Sequence, residues 1–317
     1  MSSLSKIIYE QALDCGFDRC GIIPISEMDG FDGLYQRRLE NVPMSRYFYM
    51  GVGSLNGTRE RFPWGRSIVI LVYEYGKFRF PEELQGKYGK AFFLEPEKKS
   101  VDQFDLNRLE DWFAKNGIRA EGGKQFGALS VGPLRYMAMK AGLGIIRKNN
   151  FFYTETGSYN NLFAYVIDQE CELIHKCNIP LCSDKCDLCR RACKTKALEA
   201  PNTMNPFKCV SFLTTFGNCD TPEGVTDEQY EEWVCGCDNC QDACPYNMRH
   251  DWSQGKVLKA LEEIASEILP EKFNGLTDEF LAHNFIPKTA NHLQEKDISA
   301  LRQNAARSVA NRKRVST

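Results

Sequence analysis

Cys182-Ser-Asp-Lys-Cys186-Asp-Leu-Cys189-Arg-Arg-Ala-Cys193 is the stretch that decides how this chain is read, and a second run, Cys237-Asp-Asn-Cys240-Gln-Asp-Ala-Cys244-Pro245, answers it with Cys209 upstream. A C-x2-C-x3-C core therefore occurs twice. This is the spacing of loops that wrap iron–sulfur cubes. A [4Fe–4S] cube needs four thiolates at four corners. A short curled loop supplies three, and the cysteine after the three-residue gap begins a helix that leads away to the other cube. By that logic Cys182, Cys186 and Cys189 hold one cube with Cys244 as fourth ligand. Cys209, Cys237 and Cys240 hold the other with Cys193.

Two features depart from the simplest ferredoxin pattern. The first gap holds three residues (Ser183, Asp184, Lys185) where two are usual, and Lys194 follows Cys193 where proline is usual. Pro245 keeps the pattern after Cys244. A zinc ribbon built from two C-x2-C knuckles is the main rival, but it leaves the cysteines after the longer gaps unused. A disulfide framework is weaker: no export signal precedes the motifs, and a chain of 317 residues has no need of staples. Cys15, Cys20, Cys171, Cys177, Cys219 and Cys235 fall outside the pattern and read as buried free thiols. Cys235, one residue from Cys237, is the nearest stand-in for a ligand.

The length allows two domains and a large core. A net charge of −2 gives no general affinity for nucleic acid, which leaves only local basic patches. The most basic is C-terminal: Arg302, Arg307, Arg312, Lys313 and Arg314 could meet phosphates, though a solvated helix face is the simpler reading. No apolar run approaches the roughly 20 residues of a membrane span. The N-terminus lacks both a hydrophobic export core and a twin arginine, so the expected location is cytoplasmic, without a membrane partner. Fourteen cysteines in a reducing compartment again favour metal.

Periodicity predicts a helix over 3–16, a short strand over 20–24 and loop with short helices over 30–60. Ser67 to Tyr73 is the clearest strand, β-branched and bounded by Gly65 and Gly76. Helices are predicted over 99–116 and 133–140, the latter closed by Gly142 and Gly144. Strands at 151–153 and 162–167 flank a turn at 156–158. Beyond Trp252 the pattern is helical, over 257–269, 278–284 and 298–312. The class is α+β: a mixed domain over 1–170, a ferredoxin-like double-cluster module over 171–250, and a C-terminal helical segment over 251–317.

Further stretches carry a family resemblance. They are Asp14-Cys-Gly-Phe-Asp-Arg-Cys-Gly-Ile22, Arg59 through Pro63 to Arg66-Ser-Ile-Val-Ile-Leu71, Ala141-Gly-Leu-Gly-Ile-Ile-Arg-Lys-Asn-Asn150, Gly157-Ser158, Lys208-Cys-Val-Ser-Phe-Leu-Thr214, the run from Gly236 to Asn247, and the closing Ala300 to Asn311. In combination they resemble epoxyqueuosine reductase, a family related to reductive dehalogenases. The resemblance implies a nitroreductase-like first domain holding a base-off cobalamin, fed with electrons by two [4Fe–4S] clusters. It implies an external electron donor of ferredoxin or flavodoxin type. Arg59, Lys148, Asn149, Asn150, Ser158 and Ser211 match positions that line the corrinoid or its tail.

One departure matters for chemistry. The family carries an aspartate in a D-x-x-P segment ahead of its A-G-L-G motif, as proton donor to substrate. Here the stretch is Phe126-Gly-Ala-Leu-Ser-Val-Gly-Pro133, which puts Ser130 or Ala128 at that place. Neither is an acid of useful pKa. Tyr136, Lys140 and Tyr153 are weak substitutes. The resulting expectation is a divergent corrinoid-dependent iron–sulfur reductase. Two alternatives stand beside it: reduction of epoxyqueuosine in tRNA proper, and electron transfer to another corrinoid protein.

Overall fold

Ser67–Glu74 is the strand around which the first part of the chain is built. Its residues from Ser67 to Tyr73 are all buried, so both faces of the strand are covered. A computed structural model describes residues 3–47, 55–93, 104–123, 131–216, 221–289 and 293–315. These form two units. The first comprises 1–74, 98–186 and 200–203; the second comprises 75–97, 187–199 and 204–317.

In the first unit, β1 (Arg19–Pro24), β2 (Ser67–Glu74), β3 (Ala120–Gly122) and β6 (Asn160–Ile167) form an antiparallel sheet in the order β1-β2-β6-β3. The register sets Gly21 opposite Ile70 and Ile70 opposite Ala164. Side chains alternate across a strand. Ile68, Ile70 and Val72 accordingly join Ala164 and Val166 on one face, under Met137, Ala138 and Ala141. Tyr73 turns to the other face, where its ring lies 4.6 Å from that of Phe104. Helix α1 (Ser3–Asp14) and helix α4 (Leu106–Lys115) belong to this unit, with α2 (Phe31–Asn41) and α3 (Thr58–Arg61) between them in the chain. Asp105 caps α4 by accepting from the Arg108 amide at 3.0 Å. Leu109 and Phe113 on that helix are buried, each contributing about 1.5–3 kcal/mol. The predicted helix over 99–116 is thus seen from residue 106; residues 99–103 lie outside the described ones.

Helix α5 (Leu134–Lys140) leads through Ala141-Gly142 into a hairpin of β4 (Ile145–Ile146) and β5 (Phe152–Tyr153). Gly142 is required where it stands. Its φ is +70°, and a Cβ there would come 1.8 Å from the His175 carbonyl oxygen. The chain crosses at that point, with the His175 amide donating to the Ala141 carbonyl at 2.9 Å.

The second unit is helical: α6 (Leu188–Ala192), α7 (Val210–Phe216), α8 (Asn239–Asp242), α9 (Lys259–Glu262), α10 (Pro270–Phe273), α11 (Asp278–Phe280) and α12 (Ile298–Val315). Two predicted helices come out shorter. Over 257–269 only Lys259–Glu262 is helical. Leu258, Leu261, Ile264, Ala265 and Ile268 are still buried, through successive tight turns such as Ile264 N–H to Leu261 O. Helical spacing of apolar residues does not distinguish such turns from a continuous helix, and Pro270 disfavours the helical backbone just before it. Over 278–284 the helix is capped by the Thr277 hydroxyl and widens after Phe280 into a π turn, Leu281–Phe285. Among the described residues no helix is long and apolar enough to cross a membrane.

The cations of the basic C-terminal helix are largely paired within their own unit. Arg302 pairs with Asp278, Arg312 with Glu232 and Glu271, and Arg314 with Glu228. The Arg307 guanidinium lies 3.6 Å from the centre of the Tyr230 ring. These contacts tie the helix to its own unit, Arg307 from a mostly buried position and Arg314 from an exposed one.

Candidate cluster-binding site

Five thiols of the second unit lie within electrostatic reach of one another. Cys209 feels the charge of Cys193; Cys237 feels Cys240 and Cys209; Cys240 feels Cys209, Cys193 and Cys189. These segments lie far apart in sequence and converge through short elements. Cys189 lies within α6, and Cys193 follows that helix. Cys209 immediately precedes α7, and Cys237 and Cys240 bracket the start of α8. Cys193, Cys209, Cys237 and Cys240 are the set that crossed spacing assigns to one cube.

The chemistry of the set suits a cluster. Burial pushes the Cys209 thiol up to about 11 and the thiols of Cys237 and Cys240 well above their ordinary range. Buried thiols without a cation stay protonated, whereas bound iron replaces the proton and offsets the desolvation of the thiolate. Donors are already aimed at sulfur. The Ala197 amide reaches Cys193 Sγ at 3.2 Å, and the amides of Ser211 and Phe212 hydrogen-bond Cys209. Hydrogen bonds of this kind help set a cluster's potential. No group of three or more His, Cys, Asp or Glu among the described residues is arranged to hold a metal ion. A cube is a multi-atom body, and its ligands stand apart by its width.

Cys182 and Cys186 belong to the first unit, Cys189 and Cys244 to the second. Within the first unit the Arg147 guanidinium lies 3.5 Å from Cys182 Sγ and donates to the Pro180 carbonyl at 2.9 Å. Cys15, Cys20 and Cys171 are buried, and burial raises all three thiols. Cys235 is also buried, pushed up to about 12, with the Thr215 hydroxyl 3.9 Å from its sulfur. Cys177 is partly exposed, and Cys219 lies outside the described residues.

The residues named through the family resemblance are dispersed. Arg59 is exposed, paired with Asp29, and lines a cavity of about 910 Å³ with Glu60, Arg66 and Glu172. Asn149 is buried and donates to the Tyr153 hydroxyl at 2.8 Å. Asn150 and Ser158 are buried as well. The Lys148 ammonium donates to the carbonyls of Ser183, Asp184 and Cys186, which engages all three of its N–H groups. Ser211 lies in the second unit.

Ser130 and Ala128 lie outside the described residues. Tyr136 belongs to the core, its hydroxyl donating to the Glu27 carbonyl at 3.3 Å, and burial raises its pKa. Tyr153 is fully buried. Lys140 pairs with Glu27 at 2.6 Å.

One feature escaped sequence reasoning. Lys90, nearly buried, lies 3.3 Å from Asp238 and 3.0 Å from Asp242, the two acids of the second cysteine run. Its ammonium also sits 5.0 Å from the centre of the Trp252 ring. Two aspartates among buried cysteines signal a hidden cation; nothing in the sequence says that it comes from position 90.

Residues 182–247 match the family described as 4Fe-4S double cluster binding domain. The epoxyqueuosine reductase of Bacillus subtilis (strain 168) is 30% identical over 294 residues, covering 84% of this chain and 69% of the relative. That of Synechococcus sp. (strain CC9605) is 34% identical over 257 residues, covering 78% and 77%. That of Prochlorococcus marinus (strain NATL2A) is 36% identical over 115 residues, which is 36% of each chain. Among solved structures, epoxyqueuosine reductase from Streptococcus thermophilus superposes with a TM-score of 0.75 at 22% identity, covering 98% of this chain and 82% of that one. An epoxyqueuosine reductase solved with an epoxyqueuosine-modified tRNA stem loop gives 0.72, also at 22% identity, covering 97% and 81%.

Proposed function

Because the chain belongs to the epoxyqueuosine reductase family and carries a double-cluster domain, we propose that this oxidoreductase reduces epoxyqueuosine in tRNA with electrons passed through two [4Fe–4S] clusters. The observation that carries the reading is the convergence of Cys193, Cys209, Cys237 and Cys240 from separate segments.

Deoxygenating an epoxide to an alkene and water consumes two electrons and two protons. Each cube passes one electron at a time, so two cubes suit a two-electron reduction fed by a ferredoxin or flavodoxin type of donor. Cys182, Cys186, Cys189 and Cys244 would hold one cube, Cys193, Cys209, Cys237 and Cys240 the other. The thiolates bind the iron, and the surrounding amides and low-dielectric packing tune its potential. Cobalamin enters on the family resemblance alone. The Arg59 and Ser211 side chains are both at least partly exposed. A cytoplasmic location belongs to the same proposal.

The absence of an acid between Phe126 and Pro133 favours a second reading, electron delivery to another corrinoid protein. One assay separates the two. Reconstituted protein is incubated anaerobically with epoxyqueuosine-containing tRNA, cobalamin and a chemical reductant. Formation of queuosine, even slowly, supports the first reading. No product above the protein-free control, with both clusters present, leaves only the second.

A further inference from the structure

The first cysteine loop is one residue longer than the C-x2-C pattern, and the hairpin beside it holds a compensating device. We infer that Lys148 is a positioning residue: it closes the lengthened loop between Cys182 and Cys186 into a cluster-binding shape, and its charge raises the potential of the cluster held there. This rests on the double-cluster reading above.

The geometry begins in the turn between Ile145–Ile146 and Phe152–Tyr153. The Arg147 amide donates to the Phe151 carbonyl at 3.0 Å, and the Asn150 amide to the Arg147 carbonyl at 2.8 Å. Asn150 adopts a φ of +66°, a backbone region in which asparagine is among the few tolerated side chains. The turn is pinned from outside. The Asn202 amide donates to the Lys148 carbonyl at 3.1 Å, and its side chain to the Arg147 carbonyl at 2.9 Å. Lys148 therefore leaves a fixed backbone.

Its ammonium then meets three carbonyls: Ser183 at 2.7 Å, Asp184 at 3.0 Å and Cys186 at 3.0 Å. An ammonium has three donors, and all three are used. A loop with an extra residue has an extra peptide to turn inward or outward. Three carbonyls converging on one cation fix how these peptides are oriented and free their amide faces to point the other way. Arg147, next in the chain, holds the same loop at Pro180 and reaches Cys182 Sγ. The second loop, Cys237 to Cys240, has the ordinary length and is held differently, by Lys90 on the Asp238 carboxylate. A cation beside the first loop also favours the added electron of a reduced cluster, because net charge near a cluster sets its potential.

The test compares wild type, Lys148→Met and Lys148→Arg after anaerobic reconstitution, by iron content, paramagnetic resonance and redox titration. Lys148→Met is expected to lose the Cys182 cluster selectively, falling from about eight to about four irons per chain, or to keep it at a lower potential. The signal of the cluster on Cys193, Cys209, Cys237 and Cys240 should not change. Lys148→Arg keeps the charge but not the convergent geometry, and should retain the iron with a shifted potential for that one cluster. Wild-type iron and potentials in both variants overturn the inference, as does equal loss of both clusters in a folded Lys148→Met. If Lys148→Met does not fold, Lys148→Arg decides, an unshifted potential counting against the inference. A wild type that binds no iron overturns the double-cluster reading itself, a distinct outcome.

Discussion

Lys90 Nζ lies 3.3 Å from Asp238 Oδ2, and each of the two side chains is 4% exposed. Burial raises the Asp238 carboxyl although Lys90 draws it down, and Asp238 with Asp242 keeps Lys90 protonated against the same burial. Such a pair is costly to break from one side, since the remaining charge has neither water nor partner. Lys90→Met is expected to destabilise the protein by about 3–5 kcal/mol. Lys90→Met combined with Asp238→Asn should recover much of that loss. Denaturant midpoints of the two variants check this; equal loss in both would mean that the pair is not the source.

Crossed ligation makes a selective expectation. Cys193 follows the first cysteine run but shares its electrostatic neighbourhood with Cys209 and Cys240 of the second set. Cys193→Ser should therefore damage the cluster of Cys209, Cys237 and Cys240 and spare the one on Cys182, Cys186 and Cys189. Paramagnetic resonance of the reduced variant reads this directly. Loss confined to the Cys182 cluster would show that each run holds its own cube.

His250 gives a pH dependence. Burial, and after it the nearby Lys90 ammonium, hold its imidazole below the usual value of about 6.5. Between the folded pKa and about 6.5 the unfolded chain then carries more protons than the folded one. Stability from this group is thus complete above about pH 6.5 and is lost as pH falls through the folded pKa. As pH falls from about 7.5 through about 6.5, wild type should lose more melting temperature than His250→Gln. Parallel losses would remove His250 from the account.

The missing acid sets an expectation for rate. General acid catalysis by a positioned carboxyl contributes roughly 10²–10⁴-fold, so turnover of epoxyqueuosine tRNA should be slow by about that factor relative to a relative with the aspartate. Ser130→Asp should raise turnover here. Brisk turnover by the unmodified protein, unchanged by that substitution, would mean that another group delivers the proton.

What could be read from sequence follows from which interactions are local. The strands Arg19–Pro24, Ser67–Glu74 and Asn160–Ile167 announce themselves as short β-branched or apolar runs. The cysteine spacing carries its own chemistry, and Cys240 senses the charge of Cys209, Cys193 and Cys189, which come from separate segments. The interactions that escaped are those whose partners lie far away in the chain. Lys90 and Asp238 are separated by 148 positions, and Lys148 reaches Ser183 across 35. No periodicity encodes such pairs. The contacts of Lys148 with loop carbonyls and of Asn149 with the Tyr153 hydroxyl are of the same kind, invisible to a motif. The cations of the last helix illustrate the same point: their acidic partners, Glu228, Glu232 and Glu271, come from other segments.

The central claim is that two cubes are held by eight of the fourteen cysteines. It is tested most directly by iron and sulfide analysis, with the visible spectrum, of protein reconstituted without oxygen. The account expects about eight irons and eight sulfides per chain and broad absorption that bleaches on reduction. Stoichiometric zinc without that absorption, or about four irons in a fully loaded wild type, would contradict it.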